Sequence, residues 1–150
     1  MKHVRKTVLL WYSPREMYDL VTDFHHYPAF LPWCESAQVV EQHDHGVVAR
    51  LGLAYMGVHH AFTTRNTHHP GQSVAVKLVD GPFSQLEGTW LFLPLGRPGG
   101  DESACKIEFD LMYAFSGKAL EAVVSPVFDR VANTLVDSFV RRAEVVYGPR

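Results

Sequence analysis

The sequence has few cysteines, little excess of either charge and no long hydrophobic run. Its only cysteines, Cys34 and Cys105, lack CxxC spacing, which indicates reduced thiols of a cytoplasmic protein rather than a disulfide framework. A formal net charge of −2 argues against a general binder of DNA or anionic membranes. No stretch approaches the ~20 apolar residues of a membrane span. We therefore predict a soluble protein whose membrane contact would be peripheral, at the inner face of the membrane.

The sequence also lacks internal repeats and linker-like segments, so we predict a single domain over residues 1–150. It shows no nucleophile beside a base, no paired carboxylates in an apolar setting and no phosphate-cradling glycines, which predicts no catalytic residue and no enzyme activity. Histidines come as adjacent pairs, at 25–26, 59–60 and 68–69. Adjacent strand residues point to opposite faces, so these pairs predict no metal site and an exposed, solvated position.

A long amphipathic helix is predicted from Ser125 to Tyr147. Ser125 suits the cap, Pro126 suits the first helical position, and Gly148-Pro149 is a stop signal. Apolar residues recur at helical spacing along it. The short segment 120–124 is interpreted as separate from this helix, with Pro126 as a hinge between them.

The rest of the chain is mostly predicted strand. The first strand spans His3–Tyr12, and Ser13-Pro14-Arg15-Glu16 is a capping box that opens a short helix, followed by a second short turn at residues 27–31. Period-two alternation runs from Gln38 to about Phe115, interrupted by turns and by a Gly- and Pro-rich loop from Gly96 to Asp101. We predict an α+β fold: a curved antiparallel sheet of about seven strands wrapped around the long C-terminal helix, with two short helices after the first strand.

Two motifs, YPAFLPWC at residues 27–34 and GPFSQLEGTW at residues 81–90, carry a resemblance to a known family. With the element order, they make nearly the whole chain similar to the coenzyme Q-binding and ribosome-association-toxin family, of the START-like helix-grip fold in the polyketide cyclase superfamily. The resemblance implies a hydrophobic cavity between the sheet and the C-terminal helix.

Two unlike functions follow from that resemblance. The first is a non-catalytic carrier or chaperone of a hydrophobic ligand, ubiquinone or another polyprenyl quinone or lipid, which supports respiration and requires no cofactor. The alternative is a toxin-like protein that binds the large ribosomal subunit and blocks subunit joining, with Lys2, Arg5, Lys6, Arg141 and Arg142 as candidate contacts. A minor alternative is a cyclase-like enzyme that uses polar groups inside the cavity.

Residues predicted to bind the ligand are bulky apolar side chains from the Pro-flanked turn, the inward strand positions and one stripe of the long helix. Each could equally be plain core, because cores and pockets share residue types. They are Phe30, Trp33, Tyr55, Phe62, Val76, Phe83, Trp90, Phe92, Val127, Val131, Leu135 and Phe139. For the minor enzyme alternative, Arg65 and Glu87 are the strand residues that could contribute a polar contact inside the cavity.

Overall fold

The computed structural model describes residues 1–96 and 103–150, so the predicted loop beyond Gly96 lies outside the described residues. The elements, in chain order, are β1 (Lys2–Leu10), α1 (Pro14–Thr22), a 3-10 turn (Phe24–His26), α2 (Tyr27–Phe30), β2 (Cys34–His43), β3 (Gly46–Tyr55), β4 (Val58–His69), β5 (Ser73–Asp80), β6 (Phe83–Pro94), β7 (Cys105–Phe115) and α3 (Lys118–Tyr147).

The seven strands form one antiparallel sheet in the order β1-β7-β6-β5-β4-β3-β2. Sequential strands from β2 to β7 are neighbours, as the short predicted turns require. The exception is β1, which lies at the edge opposite β2 and pairs with β7. Inward and outward side chains alternate most clearly on β7, where Ile107, Phe109 and Leu111 are buried. The predicted curved sheet around a long C-terminal helix is confirmed.

The capping box that opens α1 is confirmed. The backbone N–H of Glu16 donates to Ser13 Oγ at 3.0 Å, and the Glu16 carboxylate accepts from the N–H of Ser13 at 2.9 Å. Two amides that the helix cannot satisfy internally are thereby paired. Met17, Leu20 and Val21 then face the core, so α1 lies over one end of the sheet.

The predicted start of the long helix is wrong. Helix α3 begins at Lys118, after Gly117, and contains Pro126. Proline removes only one intrahelical hydrogen bond, that to the carbonyl four residues earlier, and the eight helical residues before it are retained. Ser125 therefore caps nothing; its hydroxyl donates to Asp129 at 3.1 Å.

A polar cluster joins the N-terminal half of α3 to the sheet. The Asp129 carboxylate accepts from the buried Tyr113 hydroxyl at 2.6 Å and is bonded to the Lys2 ammonium, which also donates to Ser125 at 2.7 Å. Burial alone would raise the pKa of Asp129, but the hydrogen bonds from Lys2, Tyr113 and Ser125 outweigh it and lower that pKa. The end of α3 near Pro126 is therefore fastened to β1 and β7 rather than free to swing as a hinge.

None of the helices within the described residues is both long enough and apolar enough to cross a membrane. Both cysteines are buried free thiols, and burial raises the pKa of each to about 11. They are consequently protonated near neutral pH and poor nucleophiles.

Candidate functional site

An apolar cavity lies between the inner face of the sheet and α3. Inward residues of β3 to β7 form its floor, and Phe128, Val131, Ala132 and Leu135 of α3 form its roof. Val21, Phe24, Tyr27 and Trp33 close one side, because α1 and the turn after it fold over that end of the sheet. The cavity exists because one helix cannot cover a seven-stranded concave surface completely.

Six of the twelve predicted ligand-binding residues line this cavity: Trp33, Phe62, Val76, Trp90, Val131 and Leu135. The structure brings these side chains together from the turn, three strands and the helix. The other six, Phe30, Tyr55, Phe83, Phe92, Val127 and Phe139, do not line it.

Three of those six residues, Phe30, Phe83 and Phe139, belong to aromatic packing around the cavity. Phe83 lies in an aromatic cluster whose members, Phe62, Phe83, Tyr113, Phe115 and Phe128, pack mostly edge to face. Phe30 and Phe139 pack on each other, with ring centroids 5.3 Å apart, at the other end of α3. Phe139 is buried and Phe30 is partly buried, and both lie beyond the cavity rather than in its wall.

The other three residues, Phe92, Tyr55 and Val127, lie outside the cavity wall because of their local surroundings. Phe92 packs under α1, edge to face with Tyr18 at 6.0 Å. Tyr55 sits at the end of β3 with the Arg130 guanidinium 5.6 Å above its ring. Val127 is buried but turned away from the lining stripe of α3.

Three polar groups of the cavity wall escaped the sequence analysis. Thr64 and Asn66 are buried on β4, and the Thr64 hydroxyl donates to the Asn66 side-chain oxygen at 2.9 Å. The Trp33 indole nitrogen is buried and has no hydrogen-bond partner among the described residues. The alternation of β4 placed Phe62 inward, and the same alternation could have placed Thr64 and Asn66 beside it.

The prediction that Arg65 and Glu87 enter the cavity is wrong. Their strand neighbours Asn66 and Leu86 point inward, so both residues lie on the outer face of the sheet, where they border a shallow groove. Among the described residues that line the cavity, the Tyr27 hydroxyl is the only ionisable group. Burial raises its pKa strongly, and it donates to the Val21 carbonyl. This wall offers no acid or base that titrates near neutral pH.

The cavity is small, with a volume of about 90 Å³. For comparison, an engineered cavity of roughly 150 Å³ holds benzene. A quinone ring with a polyprenyl tail needs more room than that, so the walls would have to move apart before such a ligand could enter.

The histidine pairs are not all exposed as predicted. His69 points to solvent, but His68 points inward, packs edge to face on Tyr18 and is half-buried close to His43. The Nε2 atoms of His43 and His68 are buried and have no partner in the described part of the chain. Within residues 1–96 and 103–150, no group of three or more metal-ligating side chains is placed to hold an ion.

Acid is expected to destabilise the protein through His68. Burial, and secondarily His43, lowers the pKa of His68, so the unfolded chain binds this proton more readily. The stability that neutral His68 contributes is complete above the unfolded pKa of about 6.5 and falls as pH drops towards the lowered folded pKa. Urea unfolding at a series of pH values measures this slope. His68→Gln should flatten it and His69→Gln should not; equal slopes in all three proteins would contradict the assignment.

Comparison with protein families and curated proteins gives consistent matches. Residues 10–140 match the family model for polyketide cyclase/dehydrase and lipid transport. The ribosome association toxin RatA of Pseudomonas aeruginosa is 42% identical over 146 residues, covering 97% of this chain and 98% of the relative. RatA of Escherichia coli is 38% identical over 150 residues, covering 100% and 92%. The mitochondrial coenzyme Q-binding protein COQ10 homolog B of Xenopus laevis is 29% identical, covering 93% of this chain and 57% of the relative.

Solved structures share the fold. The Zhui aromatase/cyclase from Streptomyces sp. R1128 superposes with a TM-score of 0.79 at 16% identity, covering 95% of this chain and 93% of that one. An 18 kDa protein from Caulobacter crescentus has a TM-score of 0.73 at 29% identity and covers 99% and 100%. These likenesses show the shared arrangement of sheet and helix, which by itself assigns no chemistry.

Proposed function

The chain belongs to the polyketide cyclase/dehydrase and lipid transport family, and from that premise we propose that it is a ribosome-association protein that binds the large subunit and opposes subunit joining. One observation carries the proposal: near-full-length relatives at 38–42% identity are named for ribosome association. The relative named for coenzyme Q binding is more distant, at 29% identity.

The character of the cavity supports a non-catalytic role. Its wall is apolar apart from Thr64, Asn66, the Trp33 indole and the buried Tyr27 hydroxyl, and none of these can act as an acid or base near neutral pH. A cyclase enzyme has the same fold, but sharing a fold does not imply sharing a catalytic activity. The working location would be the cytoplasm, where the ribosomes of a bacterial cell are found.

Sucrose-gradient sedimentation tests the proposal directly. Purified protein is added to separated small and large subunits under conditions that favour joining, and the gradient fractions are probed for the protein. We expect free subunits to increase at the expense of joined ribosomes, and the added protein to sediment with the large subunit. An unchanged profile, with the protein remaining at the top of the gradient, would refute the function.

A second candidate function is the binding of an apolar molecule that carries a hydrogen-bond acceptor. The observation that favours it is the buried, unpartnered Trp33 N–H in the wall of an apolar cavity, since a buried donor without a partner costs about 1–3 kcal/mol. A carbonyl or quinone oxygen would satisfy that donor while its apolar body occupied the space under Val131 and Leu135. The cavity must widen to admit a quinone. Because the Pro126 end of α3 is bonded to β1 and β7, we expect the widening to occur away from that end.

Organic extraction and mass spectrometry of the purified protein test this second function, together with the melting temperature after addition of ubiquinone. Val131→Trp should fill the cavity and abolish binding, whereas Val145→Trp, at an exposed position of the same helix, should leave it unchanged. Absence of any co-purifying lipid and of any thermal shift would rule it out.

A further inference from the structure

Three cations lie side by side on the outer face of the sheet, opposite the face that forms the cavity. Arg50, Arg65 and Lys77 are exposed and belong to the consecutive strands β3, β4 and β5. Arg65 is the direct cross-strand partner of Lys77, and Arg50, opposite Thr63, is a diagonal neighbour of Arg65. Directly opposed residues have Cβ atoms about 5 Å apart and diagonal ones about 7–8 Å, so the three form one group, here called the basic cluster.

The basic cluster is not neutralised by ion pairing among the described residues, although Glu87 lies directly across from Lys77 in the register. Within residues 1–96 and 103–150, none of its three members makes an ion pair or lies over an aromatic ring. The nearest carboxylates in the register are Glu87, opposite Lys77, and Glu41, opposite Val48 beside Arg65, and neither pairs with the cluster. Arg65 and Lys77 are like charges in directly opposite positions, which destabilises a sheet, so this pair gains from an added anion.

Three other cations of the described chain are paired with carboxylates. Arg5 is 3.2 Å from Asp110, and Lys106 is 3.2 Å from Glu108, both on the same outer face. Arg15 of α1 is 3.0 Å from Asp19. These three are neutralised within the protein, which makes them matched controls for the unpaired three.

The surface beside the basic cluster is concave and polar. Arg65 and Lys77 border a shallow groove of about 350 Å³ that also presents the hydroxyl-bearing residues Thr67 and Thr89, with the carboxylates of Glu87 and Asp110 on its wall. Asp110 is 3.2 Å from Arg5, so this carboxylate is already paired. Phosphate oxygens accept hydrogen bonds from Arg, Lys and Thr side chains alike. A membrane surface would instead call for bulky apolar side chains projecting beside the cations, and the groove has none larger than Met112.

We infer that the basic cluster binds the phosphate backbone of RNA and is the surface through which the protein contacts the ribosome. The inference rests on the proposed function, because the large subunit supplies the RNA. It also explains how a chain of net charge −2 can bind a polyanion: the contact is local, with Arg50, Arg65 and Lys77 gathered on one face. The candidate contacts Lys2 and Arg5 are not part of it, since both are paired with aspartates.

The test compares two triple variants of equal net charge. Arg50→Gln/Arg65→Gln/Lys77→Gln removes the basic cluster, and Arg5→Gln/Arg15→Gln/Lys106→Gln removes paired cations. Affinity for isolated large subunits is measured between about 50 and 200 mM salt. We expect the cluster variant to bind about tenfold more weakly or worse, with a slope of log affinity against log salt shallower by about 3, one for each lost phosphate contact. The control variant should bind within about twofold of wild type.

Equal binding by wild type and the cluster variant, or an equal loss in the control variant, would overturn the inference while leaving the ribosomal function intact. Failure of the wild type to bind subunits at all would instead refute the function.

Binding of a short RNA duplex at low salt tests the basic cluster independently of the ribosome. The affinity for this duplex should still depend on the three cations. Vesicles of phosphatidylserine and phosphatidylcholine complete the comparison: a cluster variant that lost vesicle binding but kept RNA binding would overturn the assignment to RNA. Melting temperatures should stay equal to wild type or rise, because the like-charge contacts are removed.

Discussion

Replacing Phe128 with Ala is expected to lower the free energy of unfolding by about 3–5 kcal/mol. Phe128 is 3% exposed and lies at the centre of the aromatic cluster, where its ring centroid is 4.7 Å from that of Phe83 and 4.8 Å from that of Tyr113. Removing the ring opens a void next to the existing cavity and deletes several edge-to-face contacts, each worth about 0.5–1.5 kcal/mol beyond burial. Equilibrium urea unfolding followed by fluorescence measures the change.

Phe30→Ala is the matched control for this substitution. Phe30 is only partly buried; its ring packs on Tyr27 and Phe139 with the Arg142 guanidinium 5.1 Å above it. We expect less than half the loss seen for Phe128→Ala, because less apolar surface returns to water. Comparable losses of unfolding free energy for both variants would show that the aromatic cluster stabilises the protein no more than a partly buried ring does.

The second large effect is expected at Gly81. Its φ of +149° is rarely adopted by residues with a side chain, and an added Cβ would lie 2.6 Å from Phe62 Cβ and 3.2 Å from Phe62 Cα. Gly81→Ala must therefore strain the turn between β5 and β6 or push β4 aside. We expect a loss of about 2–6 kcal/mol, the sum of roughly 1–3 for the backbone and 1–3 for the steric overlap. Thermal unfolding followed by circular dichroism measures it.

Gly57→Ala separates the two parts of that cost. Gly57 also has a positive φ, +82°, but no atom lies within 4 Å of where its Cβ would be. Only the backbone term applies there, which predicts a loss of about 1 kcal/mol. If Gly81→Ala and Gly57→Ala lost the same stability, the close approach of the β5–β6 turn to Phe62 would contribute nothing.

Sequence reasoning captured the architecture because its signals are local. Alternation on β7 and the Ser13–Glu16 capping box each depend on neighbours a few residues apart, and both appear as predicted. The start of α3 was misplaced for the same reason: Pro126 is a common first residue of helices, and nothing nearby in sequence shows that the eight residues before it also pack as helix.

The candidate site was predicted only by half because a cavity is a property of several elements together. Trp90 and Phe92 are both inward on β6, yet only Trp90 faces open space, since Tyr18 of α1 covers Phe92. Phe139 lies on the stripe of Val131 and Leu135 but meets Phe30 from the turn. Arg65 and Glu87 are a different kind of error, since the alternation of their own strands already assigned them to the outer face.

The pairing of β1 with β7 has a consequence for how the chain folds. Among the described strands β1 is synthesised before the other six, but its partner β7 is the last of the seven, and Lys2 is bonded to Asp129 of the still later helix α3. The meander from β2 to β7 can assemble as each hairpin emerges, whereas β1 must wait for a contact that spans most of the sequence, which is entropically slow. A protein that we propose to act on ribosomes would thus have β1 unpaired on its own ribosome until β7 has been synthesised.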